Sequence, residues 1–237
     1  MNWFFKVFAC LKPKQVEPDR PLNYSEILTK EKSYEIPRIE VLPIKIQTGG
    51  AYKTSTKKAR GLVVHYTAGR SLLGRSNAVS TLQFLADQGL GCMVMDKDGI
   101  IYRAENQDLD VVGFHAGNSL HKGETGISRF CMGMEICNAG KLDVTNKSWF
   151  GEVYEESQLR SSLKKDNIFP GKYHKFTDAQ ESALINFLRW QLDVNPEFRL
   201  SWIVGHDEIA IPNGRKTDPG ASLSMSMPEL RALLGKG

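Results

Sequence analysis

Gly61-Leu62-Val63-Val64-His65-Tyr66-Thr67 is a short continuous apolar run with a polar end. Lacking the alternation of a half-exposed strand, it predicts a β-strand buried on both faces, and so a sheet with layers above and below it. His65 then emerges near the C-terminal end of that strand, where open α/β sheets gather their sites. Working outward, residues 76–88 place Val79, Leu82 and Leu85 on one helical face. Met93-Val94-Met95 and Ile100-Ile101-Tyr102 flank Asp96-Lys97-Asp98-Gly99, a turn-rich connection that predicts a β-hairpin. Over residues 131–137, period-two alternation sets Cys131, Gly133, Glu135 and Cys137 on one strand face and Met132, Met134 and Ile136 on the other. Thr177-Asp178-Ala179-Gln180 has the form of a capping box and opens a helix whose buried stripe is Leu184, Phe187, Leu188 and Leu192. Residues 201–205 read as a short strand delivering His206, and 228–234 as a closing helix with proline in its first turn. This order predicts a mixed central β-sheet flanked by helices, of α/β or α+β class.

Of the 237 residues, 41% are apolar and 24% charged, the balance of a folded globular chain rather than a disordered or fibrous one. A net charge of +4 favours anionic partners. The basic residues are scattered, however, and the clusters Lys57-Lys58-Ala59-Arg60 and Lys164-Lys165 carry no interleaved aromatics, so they read as solvated faces and no nucleic-acid partner is expected. The four cysteines, Cys10, Cys92, Cys131 and Cys137, show no C-x-x-C spacing. On one strand Cys131 and Cys137 would stand roughly 20 Å apart, too far to bridge, and reduced packed thiols are expected.

No apolar run reaches the length of a transmembrane helix. Residues 1–11 set Trp3, Phe4, Val7, Phe8 and Leu11 at helical spacing, an amphipathic segment suited to its own domain, a protein partner or a membrane surface. Val7-Phe8-Ala9-Cys10 loosely has the form of a lipoprotein cleavage site, but Lys6 interrupts the short apolar stretch, and no signal peptide is expected. Pro13, Pro18, Pro21, Pro37, Pro43 and Gly49-Gly50 mark an irregular arm. Residues 1–50 are therefore read as arm or linker and 51–237 as one domain.

Five histidines are present: His65, His115, His121, His174 and His206. His65 and His206 each end an apolar strand-like run, and Asp218 follows His206 in a loop marked by Gly214, Pro219 and Gly220. Two imidazoles and a carboxylate are a ligand set for catalytic zinc, with the fourth position left to water. Amide hydrolysis there needs a proton acceptor beside the water and a donor or cation for the oxyanion. Glu135 and Lys216 can fill these roles. On the residues alone, Glu135 reads equally as a member of a buried ion pair, and Lys216 as a solvated loop lysine.

Resemblance adds to this reading. The stretches from Gly61 through His65 to Gly69, from Met95 to Arg103, Phe114-His115-Ala116-Gly117-Asn118, Gly133-Met134-Glu135-Ile136, from Phe176 to Gln180, and Gly205-His206 through Gly214-Arg215-Lys216-Thr217-Asp218-Pro219-Gly220 occur in this order. Over about residues 58–235 the chain resembles the zinc N-acetylmuramoyl-L-alanine amidases related to phage endolysins and peptidoglycan recognition proteins. The resemblance implies Zn2+ held by His65, His206 and Asp218, with Glu135 as general base and Lys216 stabilising the oxyanion. It puts His115 and Asn118 on the substrate side. The implied substrate is bacterial peptidoglycan or its muropeptides, cut between N-acetylmuramic acid and L-alanine, and the setting either cytoplasm until phage lysis or a bacterial envelope. A non-catalytic peptidoglycan-binding or regulatory protein on the same fold is the rival; such relatives tend to lose the third ligand, and Asp218 is present.

Two departures from the family stand out. Gly91 and Cys92 occupy the strand where many relatives carry a site-facing tyrosine or histidine, leaving more of the proton transfer to Glu135. The loop from His206 to Asp218 includes Ile209-Ala210-Ile211-Pro212-Asn213, and Asp207 is a rival carboxylate, although neighbours in an extended segment point to opposite sides. Residues 138–176 carry Trp149, Phe150, Tyr154 and Tyr173, which suit either one wall of a glycan groove or packing beneath a surface loop.

Overall fold

A computed structural model describes residues 34–47, 58–70, 74–107, 113–162 and 168–236, without the side chains of 74–76. The amphipathic segment 1–11, Cys10, Lys57, Lys164-Lys165 and the domain start expected near residue 51 lie outside the described residues.

The strands in chain order are β1 (Ile39–Leu42), β2 (Gly61–Tyr66), β3 (Cys92–Met95), β4 (Ile101–Ala104), β5 (Leu120–His121), β6 (Glu124–Thr125), β7 (Cys131–Ile136), β8 (Lys141–Leu142), β9 (Leu159–Ser162), β10 (Gly171–His174) and β11 (Ile203–Gly205). The α-helices are α1 (Gly74–Asp87), α2 (Asp178–Val194), α3 (His206–Ile209) and α4 (Met227–Leu234). Six strands form one sheet in the order β1-β4-β3-β7-β2-β11. It is mixed: β3, β7, β2 and β11 are parallel neighbours, β3 and β4 pair antiparallel, and β1 runs parallel to β4.

The apolar run in β2 is buried from Gly61 to His65 because both faces are covered. On one face Leu62, Val64, Met132, Met134 and Ile136 pack with Leu184, Phe187 and Leu188 of α2 and Leu230 of α4. On the other, Cys92, Val94 and Tyr102 pack with Ala78, Leu82, Leu85 and Ala86 of α1. This separates the two faces of β7 as the alternation predicts. Leu192, expected in the α2 stripe, is only partly buried, whereas Gln180 and Gln191 are buried on that helix.

Local chemistry fixes the ends of these elements. In the β3–β4 hairpin the Asp96 carboxylate accepts from Asp98 N at 3.0 Å, Ile100 N at 2.9 Å and the Tyr102 hydroxyl at 2.9 Å. Gly99 sits there at φ 80°, beneath the Ala179 carbonyl, where a side chain would collide. Helix α2 starts in the expected capping box: Gln180 N donates to Thr177 Oγ1 at 3.1 Å and Thr177 N to Gln180 Oε1 at 3.0 Å.

Two regions differ from the sequence expectation. Within the stretch read as an irregular arm, residues 39–42 form the edge strand β1, and Ile44 and Ile46 are buried against the α1 layer. Pro37 and Pro43 bracket the strand and lie outside its ladder, an arrangement that an edge tolerates. Within 138–176 a three-stranded antiparallel sheet, β8-β10-β9, stands apart from the main one. Its strands are two to four residues long, too short for an alternation signal.

Candidate metal centre

The register of the parallel strands builds the site. His65 on β2 is paired with Glu135 on β7, and Gly205 on β11 with Val64, so that His206 follows alongside His65 at the C-terminal ends of three neighbouring strands. In a parallel ladder, paired residues share a face. His206 begins α3, whose entry is tied down by Gly205 N donating to Glu208 Oε2 at 3.0 Å. Glu208 is gripped in turn by both terminal nitrogens of Arg231 on α4, at 2.9 and 3.0 Å. The loop returns with Asp207 N donating to the Asp218 carbonyl at 2.8 Å, which brings the Asp218 carboxylate beside both rings.

His65 Nδ1 and His206 Nδ1 each lie 2.9 Å from Asp218 Oδ2. All three residues are buried, and their ligand atoms lie within 4.8 Å of one another, an arrangement that could hold a metal ion. The hydrogen-bond partners behind the rings show why. His206 Nε2 is 3.1 Å from the Ala116 carbonyl oxygen, which can only accept, so Nε2 is the nitrogen that carries the tautomeric proton and the lone pair of that tautomer stands at Nδ1. Behind His65 the same logic runs through a second ring. His115 Nε2 donates to the Cys131 carbonyl at 2.9 Å, leaving its Nδ1 to accept from His65 Nε2 at 3.1 Å, and His65 Nδ1 is then also a lone pair. In these tautomers two imidazole lone pairs face one carboxylate oxygen. Such a donor set suits a divalent cation.

The electrostatics agree. Burial pushes His65 down to about 4, outweighing the upward pull of Asp218, and burial followed by the neighbouring His65 pushes His115 down to about 3. Both rings are neutral at pH 7. Burial works against ionisation of Asp218, but contact with His206 and His65 holds its carboxyl below the usual carboxylate range.

Glu135 lines the same cavity of about 400 Å³, together with Lys216, His115 and the three candidate ligands. Its Oε2 is buried and, among the described residues, has no partner. Burial and then the charge of Asp218 raise its carboxyl well above the usual range, with Lys216 opposing.

The rival Asp207 does not join the cluster. A Cβ on Gly205 would fall 2.3 Å from its Oδ1, so the side chain folds back over Gly205. Burial, then Asp218 and Glu208, push it up to about 8. Asn118 is exposed, donates weakly to the Ile211 carbonyl at 3.4 Å and lies outside the cavity lining.

A second group, His65, Cys92 and His115, also has ligand atoms within 4.8 Å. There, however, His65 Nε2 and His115 Nδ1 are engaged with each other. Burial raises the Cys92 thiol well above its usual range, which keeps it protonated. Of Trp149, Phe150, Tyr154 and Tyr173, the two tyrosines are buried, whereas Trp149 and Phe150 are exposed. Phe150 stands 5.8 Å from the guanidinium of Arg70, two residues beyond the cavity-lining Ala68.

Backbone carbonyls have no sequence signature, so the roles of Ala116 and Cys131 were not legible. Gly133 did offer a signal. A glycine inside a strand marks a close approach, and a Cβ there would meet Cys92 Sγ at 2.5 Å and His115 Cγ at 2.7 Å.

With this geometry in place, residues 55–221 match the family model described as N-acetylmuramoyl-L-alanine amidase. The chain belongs to that family. No curated protein matches the sequence. Among solved structures it is similar to AmpDh3 from Pseudomonas aeruginosa in complex with anhydromuramic pentapeptide, at 21% identity, TM-score 0.49, over 81% of this chain and 66% of that one. AmiD from E. coli, in complex with anhydro-N-acetylmuramic acid-L-Ala-D-gamma-Glu-L-Lys, gives 22% identity and TM-score 0.46 over 80% of this chain and 60% of that one. The Drosophila peptidoglycan recognition protein PGRP-SA gives 13% identity and TM-score 0.47 over 79% and 88%.

Proposed function

We propose that this protein is a zinc-dependent amidase that hydrolyses the lactyl-amide bond between N-acetylmuramic acid and L-alanine of peptidoglycan. The observation that carries this reading is the pair of imidazole lone pairs turned toward one oxygen of Asp218, beside a glutamate with a free oxygen.

His65, His206 and Asp218 would hold the metal. Zinc bound by three protein ligands supplies a Lewis acid and lowers the pKa of a coordinated water towards ~7. Glu135, paired across the ladder with His65, accepts a proton from the attacking water and returns it to the departing alanine nitrogen. Burial and Asp218 raise the pKa of its carboxyl, so its readiness to accept a proton depends on nearby positive charge such as Lys216, which lowers that pKa again. Lys216, on the cavity wall, donates to the oxyanion that develops on the lactyl carbonyl. Wall binding without cleavage would leave the orphaned Glu135 oxygen without a role.

The test is digestion of purified peptidoglycan with and without chelator, followed by mass spectrometry. New L-alanine amino termini, no new reducing sugar ends, and recovery on adding zinc are the expected result. Intact wall with zinc-loaded protein would refute the reading.

A further inference from the structure

We propose that His115 is a positioning residue that fixes the tautomer of His65, and does so by relaying the direction of the Cys131 backbone carbonyl through its own ring. The inference rests on the metal reading above. It assigns His115 to the support of a ligand rather than to the substrate groove that its motif suggests.

Three observations converge. First, both nitrogens of the ring are committed inward: Nε2 lies 2.9 Å from the Cys131 carbonyl oxygen and Nδ1 3.1 Å from His65 Nε2. A neutral imidazole has one donor and one acceptor, and these two contacts use both, so neither nitrogen is left to hydrogen-bond a substrate. Second, the sense of the chain is forced from one end. The carbonyl accepts only, which makes His115 Nε2 the donor, His115 Nδ1 the acceptor, and His65 Nε2 the donor to it. His65 Nδ1 is left bare beside Asp218. Third, the ring is seated by the fold. His115 N and Ala116 N both donate to Ser128 Oγ, at 3.0 and 2.7 Å, which fixes the backbone on either side. Beneath the ring, Gly133 leaves room that any side chain would take, since a Cβ there would lie 2.9 Å from His115 Nδ1.

His206 reaches the same end more directly, with its Nε2 against the Ala116 carbonyl. The backbone on either side of His115 and Ala116 therefore orients both rings: one through a carbonyl it supplies, the other through a side chain it carries. Without the relay, the proton of His65 is free to move to Nδ1, where the Asp218 carboxylate would accept it. A ring in that state cannot bind a cation through Nδ1 until the proton leaves.

The experiment uses the full chain. Long-range 15N–1H correlation spectra of the metal-free protein report which nitrogen of His65 is protonated, and competition with a chromophoric chelator gives zinc affinity. In the wild type the expected state is a protonated Nε2. For His115→Phe, which removes both contacts, the His65 proton shifts to Nδ1 and zinc binds about 10–100-fold more weakly. For His115→Asn, whose side-chain oxygen can take the place of Nδ1 as acceptor, the wild-type tautomer and most of the affinity return. A wild-type His65 protonated on Nδ1 overturns the proposal, as does a His115→Phe protein with unchanged tautomer and affinity. Should His115→Phe fail to fold, the wild-type tautomer and the asparagine variant decide. Loss of zinc binding by the wild type itself would sink the metal reading, while the tautomer measurement would still judge the relay.

Discussion

Two buried polar clusters sit close together in this fold, one around Asn138 and one around Asp218, and they differ in how their hydrogen bonds add up. Asn138 spends its side chain fully. Its Nδ2 donates to His174 Nδ1 at 3.0 Å and the Lys175 carbonyl at 2.9 Å, while its Oδ1 accepts from Gly140 N at 2.7 Å and Ser222 Oγ at 3.2 Å. Around Asp218 the sums fail: two lone pairs face one carboxylate oxygen, and Glu135 Oε2 and Asp207 Oδ1 are buried with no partner among the described residues. A buried polar atom left unpaired costs about 1–3 kcal/mol. The cluster that closes on itself ties His174 of β10 to residues 138–140 and Ser222; the one that does not close offers a donor set that could hold a metal ion.

Substitutions can break or sharpen that contrast. The largest effect is expected from Asp218→Ala, which takes away the shared carboxylate: metal analysis should fall from about one zinc per chain to background, and peptidoglycan cleavage with it. Glu135→Gln should keep its zinc and lose about 10²–10⁴-fold in turnover without a lower Tm, because the oxygen it alters has no partner to lose. Full turnover with intact zinc would remove Glu135 from the base role. Asn138→Ala should do the reverse, costing about 1–3 kcal/mol in chemical denaturation while zinc affinity holds. If affinity fell as far as stability, the two clusters would be one unit.

The closed cluster also carries a pH signature. Burial, followed by the Lys97 charge, pushes His174 down to about 4. Between that value and its ordinary 6.5 the unfolded chain binds the extra proton and the folded one does not. Stability is therefore full above about pH 6.5 and declines as pH falls towards 4, with a slope of at most ~1.4 kcal/mol per pH unit from this group. Denaturation across that window should show a shallower slope in His174→Phe than in the wild type. The smallest effect belongs to Trp149→Ala. With 87% of its surface exposed, the ring should contribute within about 0.5 kcal/mol.

How much of this was readable beforehand follows the same division. β2, the β3–β4 hairpin, β7 and α2 announce themselves because burial on a face leaves a period in the sequence, and Thr177 and Asp96 carry their own end signals. His65 and His206 stood out by ending such runs. The Asn138 cluster did not, because a network of side-chain and backbone hydrogen bonds has no period. β1 was hidden for a related reason: flanking prolines read as linker, and at an edge they are tolerated. The choice between Asp218 and Asp207 needed the loop closed: Asp207 N donates to the Asp218 carbonyl, and the Asp207 side chain folds back over Gly205.

X-ray absorption at the zinc edge on the metal-loaded protein tests the central claim most directly, because the two candidate groups around His65 differ in one atom type. The His65–His206–Asp218 site predicts a shell of nitrogen and oxygen alone at about 2.0–2.2 Å. A zinc–sulfur distance near 2.3 Å would place the metal on Cys92 instead and contradict the account.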